Sequence, residues 1–226
     1  MKRLLDLVLC AFGIAVLSPL CLLLSLMVWF GDRGPALYRG RRAGRSGDVF
    51  ELLKFRTMVV NAERLGGPTT SDYDPRITKV GAFMRRYKLD ELPQLLNVLK
   101  GDMSLVGPRP EVLSEVERYT DEQRRVLSLR PGITDLASLW NADEGAVLAG
   151  TVDPHAAYQQ FIQPTKLALQ LRYLDERSLW LDLKIIIYTV WKIFRKGWVP
   201  PELRAVPPPQ VPAHLKNREQ SVPIQT

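Results

Sequence analysis

Two adjacent carboxylates, Asp90 and Glu91, sit in Lys88-Leu89-Asp90-Glu91-Leu92-Pro93-Gln94. Asp90 fits a helix N-cap, and Pro93 falls in a first turn, where its missing N–H costs nothing. Leu92, Leu95, Leu96 and Leu99 follow at helical spacing. Gly101 ends the run, and Gly107-Pro108-Arg109-Pro110-Glu111 is a stiff turn that delivers one guanidinium to a fixed place. A helix start carries free N–H groups that suit phosphate and keep nearby carboxylates ionised. Adjacent helical side chains point about 100° apart, so one acid can attack while the other holds a cation. The plainer reading makes Asp90 a cap and Glu91 a solvated acid. Their surroundings decide between the two.

Those surroundings are basic. Ala36–Arg39 and Val49–Arg56 are strand-like, joined by a Gly/Ser/Arg-rich turn from Gly40 to Gly47. Alternation puts Lys54 and Arg56 on one face of the second strand and Phe55 on the other. Paired cations there form either a solvated face or a phosphate cradle. Residues 61–75 are loop-like. Arg76 leads into a short amphipathic helix, Ala82–Tyr87, that carries Arg85 and Arg86. After Glu111 the pattern of Val112, Leu113, Val116 and Tyr119 predicts a helix to about Leu129. Pro131-Gly132-Ile133-Thr134 reads as a turn, residues 141–165 are weakly patterned, and a helix follows over Thr165–Leu174.

Residues 7–30 contain no charged side chain, enough for a membrane-spanning helix. Ser18-Pro19 interrupts them, and both flanks are basic: Lys2 and Arg3 before, Arg33 to Arg45 after. A positive-inside bias favours one side only. Either the segment is a kinked transmembrane anchor, or it bends at Ser18-Pro19 and leaves by the face it entered. Leu179–Trp198 carries an apolar stripe with three tryptophans, fitting a helix in the membrane interface or one packed on the domain. From Val199 the chain is rich in proline and reads as a disordered tail. The charge of +7 and 46% hydrophobic content imply an anionic partner and exclude wholesale disorder. No nucleic-acid reader motif is present. Cys10 and Cys21 lack metal-ligand spacing and read as lipid-facing or packed thiols.

Six motifs in register carry a resemblance. They are the apolar segment broken at Ser18-Pro19, Lys54-Phe55-Arg56-Thr57-Met58, Asp74-Pro75-Arg76-Ile77-Thr78-Lys79-Val80-Gly81, Leu89-Asp90-Glu91-Leu92-Pro93-Gln94, Gly101 to Pro110, and Arg130-Pro131-Gly132-Ile133-Thr134. Over about residues 1–198 the chain resembles the bacterial sugar transferases known as monotopic phosphoglycosyl transferases. The resemblance implies a mainly α fold with a small β-hairpin, a re-entrant membrane helix over 1–32 broken at Ser18-Pro19, and a cytoplasmic, interfacial catalytic domain over 33–198. The tail, 199–226, lies beyond it.

The implied reaction moves a sugar-1-phosphate from a UDP-sugar to undecaprenyl phosphate at the cytoplasmic face of the bacterial inner membrane, releasing UMP. Asp90 is then the nucleophile, Glu91 the ligand of Mg²⁺, and Arg109 a phosphate contact. Lys54, Arg56, Arg76 and Arg109 can offset the remaining phosphate charge. The partners are the UDP-sugar, the lipid phosphate and an anionic bilayer, not nucleic acid, and a homodimer is compatible with the pattern. Lys88 departs from the Ser or Thr usual before Leu-Asp-Glu. Residues 135–144 depart from the family's Gly, Trp-x-Gln-Val and Asn-Gly-Arg-like loop, which puts the donor sugar in question. The competing reading is a non-enzymatic basic membrane protein that binds lipid through Arg39–Arg45 and Leu179–Trp198. It leaves the acid pair and the Pro-Arg-Pro turn without a purpose.

Overall fold

The structure is a computed structural model that describes residues 1–65, 69–72, 74–195 and 197–216. A long helix α1 (Lys2–Asp32) is followed by the antiparallel hairpin β1 (Leu37–Ala43) and β2 (Val49–Phe55), then α2 (Lys79–Arg86) and α3 (Gln94–Lys100). Next come β3 (Ser104–Val106), α4 (Leu113–Val116), α5 (Asp121–Arg124), β4 (Gly132–Thr134), α6 (Leu136–Trp140), α7 (Glu144–Leu148) and α8 (Pro154–Ala157). The longer helices α9 (Gln163–Glu176) and α10 (Leu179–Phe194) follow. The fold is mainly helical with a small hairpin, as the sequence implies.

α1 is not broken at Ser18-Pro19 but runs through it. Proline lacks an N–H and leaves the carbonyl four residues earlier unpaired. Here Ser18 Oγ donates to that carbonyl, Ala15 O, at 3.1 Å, so the helix continues. α1 is the one helix among the described residues long and apolar enough to cross a membrane. Both of its ends are tied to the same body. Near the start, Lys2 pairs with Asp182 at 2.6 Å, and Arg3 donates to the α3 carbonyls Val98 O and Leu99 O at 2.7 and 3.1 Å. Near the end, Leu24 and Val28 pack with Phe55 and Met84, and Asp32 holds Arg56. Its far face leaves Leu4, Val8, Phe12, Val16 and Phe30 exposed. Cys10 is buried and Cys21 half-buried, both as free thiols.

α10 packs one side on the domain and leaves an apolar side exposed. Ile185 and Asp182 are buried against the domain, while Trp180, Ile187, Val190, Trp191 and Phe194 face outward. The central core gathers Leu136, Leu139, Leu169, Tyr173 and Ile185 around Val106.

Several expected elements differ. The predicted helix from Val112 to Leu129 is two short α-helices, the second continued by a 3₁₀ turn over Arg125–Ser128, because Thr120 forms a capping box with Gln123 and restarts the chain. The predicted turn at 131–134 contains a strand: β4 pairs in parallel with β3, Ser104 opposite Gly132 and Val106 opposite Thr134. Three-residue strands carry too little periodicity to announce themselves. The proline-rich stretch after Val199 is docked as far as Lys216 instead of disordered. Leu203 and Val211 are buried, and the Trp140 indole donates to Pro207 O at 2.7 Å. Residues 217–226 of the expected tail lie outside the described residues.

The β3–β4 contact demands glycine. A Cβ on Gly132 would lie 2.1 Å from the Gly107 backbone nitrogen, a clash with main chain that has nowhere to go. Gly132→Ala is expected to cost about 3 kcal/mol or more, read as a lower unfolding midpoint or loss of folded protein. Gly31→Ala, with nothing within 4 Å, is expected to be neutral or to stabilise by about 0.5–1 kcal/mol.

Candidate functional site

The dyad does not open a helix. Leu89–Glu91 form a 3₁₀ turn, Lys88 precedes it in the left-handed region at φ 57°, and Pro93 takes the cap position of α3. Asp90 caps nothing, contrary to the expectation, because the 3₁₀ turn moves the start of α3 to Pro93, and no side chain caps that end. A left-handed non-glycine residue costs free energy that the surrounding structure must offset, so this turn is held from outside. α3 does part of that. Asn97 accepts from Leu53 N at 2.9 Å and donates to Glu51 O at 2.7 Å, clamping α3 to β2. The clamp brings Lys54 of β2 over the dyad. Gly101 ends α3 as expected.

The other half comes from the β3–β4 pair, which presents Pro108-Arg109-Pro110. Arg109 grips Glu91 with both arms, Nη2 to Oε1 at 2.5 Å and Nη1 to Oε2 at 2.7 Å. Its Nη1 also donates to Ile133 O, and its backbone N–H donates to Asp135 at 3.2 Å. Lys54 Nζ lies 3.1 Å from Glu91 Oε1 and 4.0 Å from Asp90 Oδ2. The two acids are therefore unequal. Glu91 is held by two cations and has one acceptor site left, on Oε2. Among the described residues Asp90 has only Lys54 at ion-pair distance.

Their ionisation follows. Burial would raise both acids, but at Glu91 the charges of Arg109 and Lys54 outweigh it and hold the carboxyl well below its ordinary range. At Asp90 burial wins, only partly offset by Lys54 and reinforced by Glu91, and its pKa is raised.

Of the cations singled out from the sequence, Lys54 and Arg109 reach the dyad and the other two do not. Arg56 is buried in a two-armed pair with Asp32 at 2.5 and 2.6 Å and ties down the end of α1. Arg76 closes on Asp74 at 2.9 and 2.6 Å and donates to Ala62 O at 3.1 Å. Alternation along a strand identifies a face but not a partner, and each guanidinium has gone to the nearest carboxylate.

Two contributors are not among the site residues singled out from the sequence. Arg85 donates from Nε to Thr57 Oγ1 at 2.9 Å, and burial lowers its pKa against the pull of Asp90, Asp74 and Asp72. Its place is set by Gly81 one turn earlier, where a Cβ would come within 1.9 Å of Thr57 O. Asp135 is fully buried, caps α6 through Ser138 N at 2.6 Å, accepts from Gln170 at 3.0 Å, and anchors the Arg109 backbone. Its position before Leu136-Ala137-Ser138-Leu139 was a readable cap signal. Among the described residues no cluster of three or more His, Cys, Asp or Glu could hold a metal ion. A cation at this site would rest on Glu91 and on ligands the substrate brings.

A model of the family described as bacterial sugar transferase matches residues 1–196. The chain is 38% identical over 200 residues to a galactosyl transferase CpsE of Streptococcus agalactiae serotype III, covering 84% of this chain and 41% of that protein. It is 37% identical over 204 residues to the exopolysaccharide production protein ExoY of Sinorhizobium fredii, covering 84% of this chain and 83% of that protein. It is 38% identical over 192 residues to a UDP-glucose:undecaprenyl-phosphate glucose-1-phosphate transferase of Caulobacter vibrioides, covering 84% and 68%. The chain thus spans about two fifths of some relatives and most of others.

Arg109→Leu leaves Glu91 buried without its fork and is expected to destabilise by about 3–5 kcal/mol. Glu91 is depressed in the native state, so its contribution is present above the ordinary value of 4.5 and lost as pH falls through its native value. In denaturant titrations the gap between wild type and Arg109→Leu should therefore narrow below about pH 4.5.

Proposed function

The chain belongs to the bacterial sugar transferase family, and from that premise we propose that it transfers a sugar-1-phosphate from a UDP-sugar to undecaprenyl phosphate through a covalent intermediate on Asp90. The observation that carries this reading is the asymmetry of the dyad. Glu91 is committed to Arg109 and Lys54, whereas the Asp90 carboxylate accepts no hydrogen bond among the described residues and meets Lys54 only at 4.0 Å. A carboxylate stripped of donors is a stronger nucleophile.

In the first step an Asp90 oxygen attacks the β-phosphorus of the UDP-sugar. The bond to the bridging oxygen breaks, and UMP leaves with the electron pair. In the second step a lipid phosphate oxygen attacks the same phosphorus and Asp90 is released as carboxylate. Splitting the transfer means that the nucleotide sugar and the lipid need not be bound together. Lys54 and Arg109 share the charge of the incoming phosphates, and Arg85 adds a third cation near Asp90. Mg²⁺ would sit on the free acceptor site of Glu91 and on substrate phosphates, and when bound it neutralises the diphosphate and polarises the breaking bond. Arg56 and Arg76 serve by holding α1 and the loop before α2.

The same reading places α1 as a re-entrant segment in the inner membrane, with the catalytic domain on the cytoplasmic face. It is supported by the ties of Lys2, Arg3 and Asp32 to one domain, which keep both ends of the helix on one side. The apolar faces of α1 and α10 then enter the bilayer together.

Detergent-solubilised protein with Mg²⁺ and undecaprenyl phosphate should release UMP from one member of a UDP-sugar panel. Asp90→Asn should slow release on the order of 10⁴-fold or more. UMP from no donor, with the protein folded, would return the lipid-binding scaffold to first place. Because Asp90 must be ionised to attack and its pKa is raised, the rate should fall on acidification at a higher pH than an ordinary aspartate sets. Lys54→Met, which removes the main charge lowering it, should move that limb further up. Cysteines placed at Lys2 and Arg45 should label from the same side of sealed vesicles. Labelling from opposite sides would contradict the re-entrant arrangement.

A further inference from the structure

Away from the dyad, a cavity of about 480 Å³ opens between the starts of α1 and α10. We propose that it binds an anionic phospholipid, with the phosphate on Arg45, Arg130 and Arg177 and an acyl chain over Val106, Leu129 and Leu179. This site is distinct from that of the acceptor lipid, and the inference does not rest on the transferase reading.

The charge balance is the first argument. Two acids line the cavity, and both are answered from within the protein. Asp6 accepts from Ser104 Oγ at 2.8 Å and Leu105 N at 3.3 Å, and Asp182 accepts from Lys2 and from Tyr173, each at 2.6 Å. Of the arginines that line it, Arg3 is committed to the α3 carbonyls, and the other three have no carboxylate partner among the described residues. Arg45 donates from Nε to Ser128 O at 3.2 Å, and Arg130 donates from Nε to Gly101 O at 2.9 Å. One bond to a backbone carbonyl fixes each guanidinium and leaves its terminal nitrogens without a carboxylate partner among the described residues. Arg177 joins them at the rim, also without one. Two arginines held at Nε, their terminal nitrogens free among the described residues, and a third beside them, suit a phosphate.

Shape and position select the source of that phosphate. The volume is that of a small-molecule site, and its floor is apolar, which a free phosphate or nucleotide does not need. The cavity opens where α1 begins at Lys2, joined to Asp182 of α10, and both helices carry exposed apolar side chains, Leu4 and Val8 on α1 and Trp180 in the first turn of α10. Tryptophan and arginine at such a level mark the headgroup layer of a bilayer. None of Lys54, Arg85, Asp90, Glu91 or Arg109 lines the cavity, so an occupant is not presented to the dyad. A lipid here would fasten α1 to α10 and set the depth of the domain.

The test uses the full chain in dodecyl maltoside, with lipid adducts read by native mass spectrometry. Dioleoylphosphatidylglycerol should bind, and dioleoylphosphatidylcholine at the same concentration should not. Each arginine removed should weaken binding roughly fivefold, so Arg45→Gln/Arg130→Gln/Arg177→Gln should lose on the order of a hundredfold. Leu179→Glu is a second variant. A first-turn acid suits a helix start, so it should fold normally and still repel the headgroup. Asp90→Asn should bind phosphatidylglycerol like wild type. Equal binding of phosphatidylcholine, or full binding by both cavity variants, would overturn the proposal. Displacement by millimolar inorganic phosphate would reveal a free-anion site, and one-for-one displacement by undecaprenyl phosphate would reveal the acceptor site. Either result would overturn it as well.

Discussion

The two-armed ion pair between Arg109 and Glu91 is the interaction on which the rest of the structure depends. Few side chains make both partners of a buried salt bridge cheap to desolvate, and a buried pair with one member missing is costly. The chain meets that cost by building around it. Asp135 holds the Arg109 backbone, Ile133 O takes a third N–H, and the parallel contact between β3 and β4 keeps the turn rigid. On the other side, Asn97 clamps α3 to β2 so that Lys54 arrives at the same carboxylate. Asp90 then inherits a place that is buried and charged but uncommitted. One acid is held by cations while its neighbour keeps a carboxylate with no hydrogen bond among the described residues, which is the asymmetry the proposed mechanism uses.

The second constraint is α1. A helix of this length and apolarity would ordinarily project from a domain, with only one end in contact. Here Arg3 caps the carbonyl end of α3 and Asp32 binds Arg56 beside the hairpin, so the helix is strapped along the domain it anchors. The strap at Asp32 and the cation row on β2 are one piece of chain, since Arg56 lies two residues from Lys54. On the proposed reading, membrane attachment and the reactive site are thereby mechanically linked. That linkage suits a reaction in which one substrate is fixed in the bilayer and the other arrives from solution.

Much of this was legible in the sequence where pattern and motif act locally. The hairpin, the acid pair, the stop at Gly101 and the two-faced α10 follow from alternation, helical spacing and turn residues. Lys54 and Arg109 read on equal terms with Arg56 and Arg76, and no local signal separates the two that reach the dyad from the two that do not. What escaped depended on distant partners. Nothing near Arg56 or Arg76 in the pattern shows that Asp32 and Asp74 will claim them, and nothing in Pro131-Gly132-Ile133-Thr134 shows a strand whose mate lies near residue 105. Composition misled at the proline-rich end, because a segment without regular structure can still bury Leu203 and Val211 in an existing groove. At Ser18-Pro19 the local rule was right about the lost hydrogen bond, but Ser18 itself repairs the unpaired carbonyl.

The central claim is that Asp90 carries the phosphosugar while Glu91 stays bound to its cations. Intact-protein mass spectrometry of the purified chain, incubated with its UDP-sugar and Mg²⁺ but no lipid acceptor, tests it directly. The account predicts a mass increase of one sugar phosphate, located to the peptide that contains Asp90, absent in Asp90→Asn and discharged on adding undecaprenyl phosphate. UMP release with no adduct on any residue, or an adduct on Glu91, would contradict it.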